Sequence, residues 1–225
     1  MSRLNVQPRR KFLQSITLGA AVIGAAGITA PIKASAGSID NDDPEEWMKK
    51  INGKHRIVYD VTEPYHQFPF AWPRVFLLTN EATGTPPGDC SVVVILRHNA
   101  IPFAMDNHLW EKYKFGEMFH VTDVNTNQVA AKNPFWKPAP GTYKFPGFGA
   151  VAIGINELQE SGVQFLVCDA ALTVLSAVAA GNTGNAADIK KEWVAGVLPG
   201  INIVPSGVWA VGRAQEKGCG YCFVR

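Results

Sequence analysis

The chain has 225 residues, with 21 Lys and Arg against 19 Asp and Glu, 47% hydrophobic and 18% charged. It is too apolar for a disordered tail, and its near-balance of charge excludes a general nucleic-acid binder, which needs a basic face. Four cysteines are too few for a disulfide-built framework.

The first 36 residues read as an address. They hold five cations (Arg3, Arg9, Arg10, Lys11 and Lys33) and no acid. Set aside, they leave 16 Lys and Arg against 19 acids, a formal −3 over 189 residues. Pro8-Arg9-Arg10-Lys11-Phe12-Leu13-Gln14 leads into an apolar run from Ser15 to Ile32, and Ala34-Ser35-Ala36 makes a small-X-small exit before Gly37. The adjacent arginines followed by Phe-Leu resemble a twin-arginine (Tat) signal. That resemblance implies cleavage after Ala36 and passage through the Tat translocase to the periplasm. Gly19, Gly24 and Gly27 dilute the run and Pro31 closes it, so a membrane anchor is the weaker reading. Left uncleaved, the chain would stay tethered; after cleavage no remaining stretch is long enough to span. On this route the cysteines begin in a reducing compartment and end in an oxidising one.

Residues 37–54 form a polar lead-in, with a short helix near Pro44–Lys50. Strands are predicted at His55–Val61, Ser91–Leu96, Val163–Cys168, Ile201–Val204 and Cys219–Val224. The second is a continuous β-branched run, the mark of a strand buried on both faces. Helices are predicted at about 71–81, 150–160, 170–180, 186–195 and 208–217, with Pro73 tolerated in a first turn and Ser161-Gly162 and Gly218 as stops. Ile101–Phe119 is amphipathic and partly helical. From Val121 to Phe148 the chain turns rich in Asn, Pro, Gly and aromatics, with no helical or strand period. Five strands separated by helices predict one α/β domain over 55–225, with a mostly parallel five-stranded sheet and an insertion at about 113–148.

In such a sheet, ligands gather beyond the carboxyl ends of the strands. Those ends carry Asp60 and Glu63, then His98 and Asn99, then Cys168 and Asp169, then Ser206. A thiol, an imidazole and carboxylates would converge there. Cys168 ends a strand and opens a helix, where amide donors and the helix dipole favour thiolate. Against this stand plainer roles: Cys168 as a core residue, His98 as a surface histidine, and Asp60 and Asp169 as helix N-caps.

Val163-Gln164-Phe165-Leu166-Val167-Cys168-Asp169 resembles the "Gly-Val-x-hydrophobic-x-x-Cys" segment of the DsrE/DsrF-like sulfur-relay family. Ser91–Ala104 is similar to that family's second strand and following turn. Pro205-Ser206-Gly207-Val208 with Ala214-Gln215-Glu216-Lys217-Gly218 resembles its C-terminal ending. The likeness covers about residues 55–112 and 149–224. It implies an oligomerising α/β domain whose Cys168 accepts sulfane sulfur as a persulfide, with donor and acceptor proteins as partners and no cofactor. Asp169 departs from the ideal, since an adjacent carboxylate disfavours a thiolate unless it points away. Export departs further, because the best-known members relay sulfur in the cytoplasm.

Cys219-Gly220-Tyr221-Cys222 has dithiol spacing, but it lies on the last predicted strand. Residues i and i+3 of a regular strand face opposite ways about 10 Å apart, beyond disulfide reach without a bulge. A metal site would need Cys90 and Cys168 to join them, and spacing alone does not assign one. The aromatics Phe135, Trp136, Tyr143, Phe145 and Phe148 suit a lid, a subunit contact or a loop pinned by its own rings. The tract 180–188 reads as helix stop and start, not a phosphate loop. The sequence therefore supports an exported sulfur- or thiol-handling protein acting through Cys168 with Asp169 and His98, and with Asp60, Asn99 and Ser206 as binding residues. The alternatives are a non-catalytic binding or scaffold module of the same fold, and a dithiol redox protein using Cys219 and Cys222. Whether it is an enzyme stays open.

Overall fold

The computed structural model describes residues 43–225 apart from positions 87 and 183. Arg9, Arg10 and the exit at Ala36 lie outside the described residues. Five strands make one all-parallel sheet: β1 (His55–Val61), β2 (Cys90–Leu96), β7 (Gln164–Cys168), β8 (Ile201–Val204) and β9 (Gly220–Val224), in the order β8-β7-β2-β1-β9. The chain winds outward from β1 to β8 and then crosses back to place β9 on the far side of β1.

That reversal divides the helices between the two faces. The first core cluster joins Val92, Val94, Leu96, Phe165 and Val167 to α1 (Phe68–Ala82), α4 (Ile155–Glu160), α5 (Asp169–Ala180) and α6 (Ala186–Ala195) through Phe70, Leu158, Leu172 and Trp193. The second joins Val58, Val93, Ile95, Leu166 and Val204 to Ala210 and Ala214 of α7 (Gly207–Glu216) and to Trp47 of a 3-10 turn at Glu46–Lys50. Successive residues of β2 alternate between the clusters, which is why its sequence is apolar throughout. Among the described residues no helix is long and apolar enough to cross a membrane.

The partly helical stretch is as expected, and the aperiodic tract differs. The amphipathic stretch is a 3-10 turn at His98–Ala104 followed by α2 (Asn107–Tyr113) and α3 (Phe115–Met118). The aperiodic tract carries two small antiparallel ladders, β3 (Thr122–Asp123) with β4 (Gln128–Val129), and β5 (Lys144–Phe145) with β6 (Gly149–Ala150). Because Ala150 pairs with Lys144, the helix predicted from 150 starts only at Ile155. There the Gly154 N–H donates to the Glu157 carboxylate at 2.7 Å. The tract is not pinned by its own rings alone. Phe135 and Tyr143 are buried, and Phe135 stacks on both Tyr143 and Phe70 of α1, while Phe148 is exposed.

Candidate functional site

The carboxyl edge of the sheet carries the chemistry in separate groups. Cys168 closes β7 and is itself the N-cap of α5, its Sγ accepting the Ala171 N–H at 3.3 Å. It is 5% exposed. The adjacent Asp169 does not act as a cap: Lys190 of α6 holds its carboxylate, at 2.8 Å to Oδ1 and 2.9 Å to Oδ2. The acid next to the thiol is thus neutralised. The Ala170 N–H donates to the Pro205 carbonyl, tying the start of α5 to the end of β8.

Asp60 is not a helix cap either. It is buried at the end of β1, and Arg97, just past β2, donates to it bidentately, Nε to Oδ1 at 2.6 Å and Nη2 to Oδ2 at 2.9 Å. The Tyr221 hydroxyl of β9 adds a third hydrogen bond to Oδ2 at 2.8 Å. These are the charge-assisted partners a buried carboxylate requires. The bond to Asp60 holds the Arg97 guanidinium above its ordinary range against the opposing effect of burial, with smaller contributions from charge on Tyr221 and Cys168. Burial and the Asp60 bond together push the Tyr221 phenol up. The stem of Arg97 lies on Gly207, where an added Cβ would come within 2.7 Å of the Arg97 Cβ.

The third group is Glu63, whose carboxylate accepts from Asn99 Nδ2 at 3.2 and 3.0 Å and lies 3.4 Å from His98 Nδ1. His98 is largely exposed and partners this acid, not the thiol. Ser206 caps α7, its Oγ accepting the Trp209 N–H at 3.1 Å.

All four cysteines are free. Cys219 belongs to the core under α7, whereas Cys222 packs on the opposite face, as strand alternation requires. Burial pushes the thiols of Cys90, Cys219 and Cys222 up, with Asp89 adding to the shift at Cys90. Cys90 opens β2 and Cys168 closes the neighbouring β7, so they sit toward opposite ends of the sheet. Among the described residues no group of three His, Cys, Asp or Glu side chains could hold a metal.

Sequence reasoning placed Asp60, Glu63, His98, Asn99, Cys168, Asp169 and Ser206 on one edge, where they lie, but missed Arg97, Lys190 and Tyr221. Arg97 immediately precedes His98 at a strand end, which was signal enough to find it. Lys190 reaches Asp169 from a helix 21 residues on, and nothing in local sequence marks it.

No family model matches the chain, and no curated protein matches it. Among solved structures, one titled as a protein of unknown function, MTH1491 from Methanobacterium thermoautotrophicum, is 16% identical. The match covers 76% of this chain and 99% of that one with a TM-score of 0.35. A likeness of that size transfers neither fold nor function.

Proposed function

We propose that this chain is an exported sulfur- or thiol-handling protein that carries sulfane sulfur as a persulfide on Cys168. The observation that carries the reading is the setting of that one sulfur. It ends a parallel strand, receives the Ala171 amide at 3.3 Å, and has its neighbouring acid occupied by Lys190. An amide donor at a helix start accommodates a negatively charged sulfur, and Lys190 offsets the charge of the neighbouring acid. In loading, the Cys168 thiolate attacks the outer sulfur of a sulfane donor. A new Sγ–S bond forms as the donor's own bond to that sulfur breaks, and the leaving group departs with the electron pair, as sulfite from thiosulfate or as a thiolate from a persulfide. Discharge to an acceptor thiolate restores Cys168. A thiol 5% exposed suits a slow carrier or low-turnover transferase rather than a fast enzyme.

The test is loading with thiosulfate or glutathione persulfide. A chain carrying Cys90→Ser, Cys219→Ser and Cys222→Ser keeps about one sulfane sulfur per chain, and Cys168→Ser loses it. Equal loading of Cys168→Ser and the unaltered chain contradicts the proposal.

One observation favours a second reading, a scaffold or binding module of the same fold: the Cys168 sulfur already has a structural task as the cap of α5. Serine caps helices well, so on this reading Cys168→Ser leaves both stability and function intact. The dithiol alternative finds no support in the opposed faces of Cys219 and Cys222. The partners of the leading reading are the Tat translocase, a sulfur donor and an acceptor, and further copies of this chain. Light scattering after size exclusion reads the last of these, a single-chain mass counting against it.

A further inference from the structure

Beyond the carboxyl ends of β1 and β9 lies a cleft of about 890 Å³, and Cys168 does not line it. Its walls are aromatic: Tyr65, Trp72, Phe119 and Phe223, with Tyr65 and Phe223 44% and 46% exposed. The rings are held in place. Tyr65 stacks on Phe68 at 5.4 Å, and Phe68 packs on Trp72 at 5.4 Å. Small-molecule sites span roughly 300–1,000 Å³, with apolar walls and a few convergent polar groups, and this cleft has that make-up.

The polar group that decides the ligand is Glu63. Its carboxylate is oriented by Asn99 and lies 3.4 Å from His98 Nδ1, no Lys or Arg pairs with it among the described residues, and its side chain is 39% exposed. An ionised carboxylate offers about four acceptor positions, and the Asn99 amide and the His98 imidazole together leave some of them free. The other charged lining residue, Arg225, is exposed and no hydrogen bond or ion pair fixes its guanidinium among the described residues, whereas Asn99 fixes the Glu63 carboxylate. Three of the six non-glycine residues with positive φ among the described residues lie at or beside this cleft. His66, His98 and His120 have φ of 50°, 52° and 55°; His120 lines the cleft and the other two adjoin the lining residues Tyr65 and Asn99. Histidine is among the few residues with a Cβ that take left-handed backbone readily.

We infer that this cleft binds an organic cation, an ammonium group carried on an aromatic or compact aliphatic body, with the ammonium against Glu63 and the body between the rings. A carboxylate set among aromatic faces complements such a cation twice, by charge and by the ring quadrupoles. An anion meets repulsion at Glu63. A neutral body desolvates that carboxylate without giving it a partner. The site is independent of sulfur chemistry at Cys168.

Calorimetric titration with 2-phenylethylamine, 2-phenylethanol and 3-phenylpropionate tests this, since the three share a body and differ in charge. The amine binds saturably and at least about tenfold more tightly than either analogue, and Glu63→Gln removes that preference. The fluorescence change on amine binding is lost in Trp72→Phe. Equal affinity for all three, tighter binding of the anion, or no saturable amine binding below about 10 mM overturns the assignment. So does an amine preference that survives in folded Glu63→Gln. The comparison on the unaltered chain decides the matter even if that variant fails to fold.

Discussion

Asp60 shows how much of this edge is held by one side chain. It is 2% exposed, and its three hydrogen bonds come from Arg97, just past β2, and Tyr221 of β9, the strands to either side of β1. Asp60→Ala leaves the guanidinium without its partner and frees the Tyr221 hydroxyl. It should lower stability by about 3 kcal/mol in urea unfolding, the range for breaking a buried pair from one side. An unchanged midpoint would mean that Arg97 finds solvent easily and that the pair has no structural weight. None of this was visible from residue spacing. Asp60 and Arg97 are 37 positions apart, and only the in-register pairing of Val61 with Leu96 brings them together. The edge itself was legible, because strand ends are marked by where β-branched runs stop; the partners across it depend on strand order.

At the scale of elements, α7 is the piece that completes the edge. Ser206 caps it, and Gly207 lets its first turn lie against the stem of Arg97. Gly207→Ala should therefore displace Arg97 from Asp60 and cost about 1–3 kcal/mol, the usual range for overpacking. An altered chain as stable as the original, with the Asp60 contacts kept, would show that the contact yields freely. The helix at 186–195 and the strands were readable because caps and apolar runs are local signals: Asn185 accepts the Ala187 N–H where Asn before a helix is expected to do so. Residues 121–148 were not readable. Two-residue ladders have no period to detect, and Gly116 approaches Ala130 so closely that an added Cβ would lie 2.0 Å from its carbonyl oxygen. The burial of Phe135 against α1, with Tyr143 stacked on it, is a long-range packing choice that composition cannot announce.

For the whole molecule, two of its tyrosines set an alkaline limit. Burial holds the phenols of Tyr59 and Tyr143 above the ordinary value of 10.0. The unfolded chain releases those protons first, so this contribution to stability is complete below about pH 10 and declines as pH rises further. Urea midpoints should accordingly fall as pH rises from about 10 to 12, and less steeply in Tyr59→Phe. A pH-independent midpoint across that range would show the phenols to be solvated. Export is tested separately: changing Arg9 and Arg10 to Lys should leave the chain in the cytoplasm and uncleaved after Ala36, and continued export would remove the Tat assignment. The persulfide on Cys168 is the central claim, and peptide mass mapping tests it most directly, under non-reducing conditions after exposure to a sulfane donor. A mass gain of about 32 Da, one sulfur atom, is expected, confined to the peptide containing Cys168 and removed by mild reductant. A Cys168 peptide that stays unmodified, or is locked in a disulfide that mild reductant leaves intact, would contradict it.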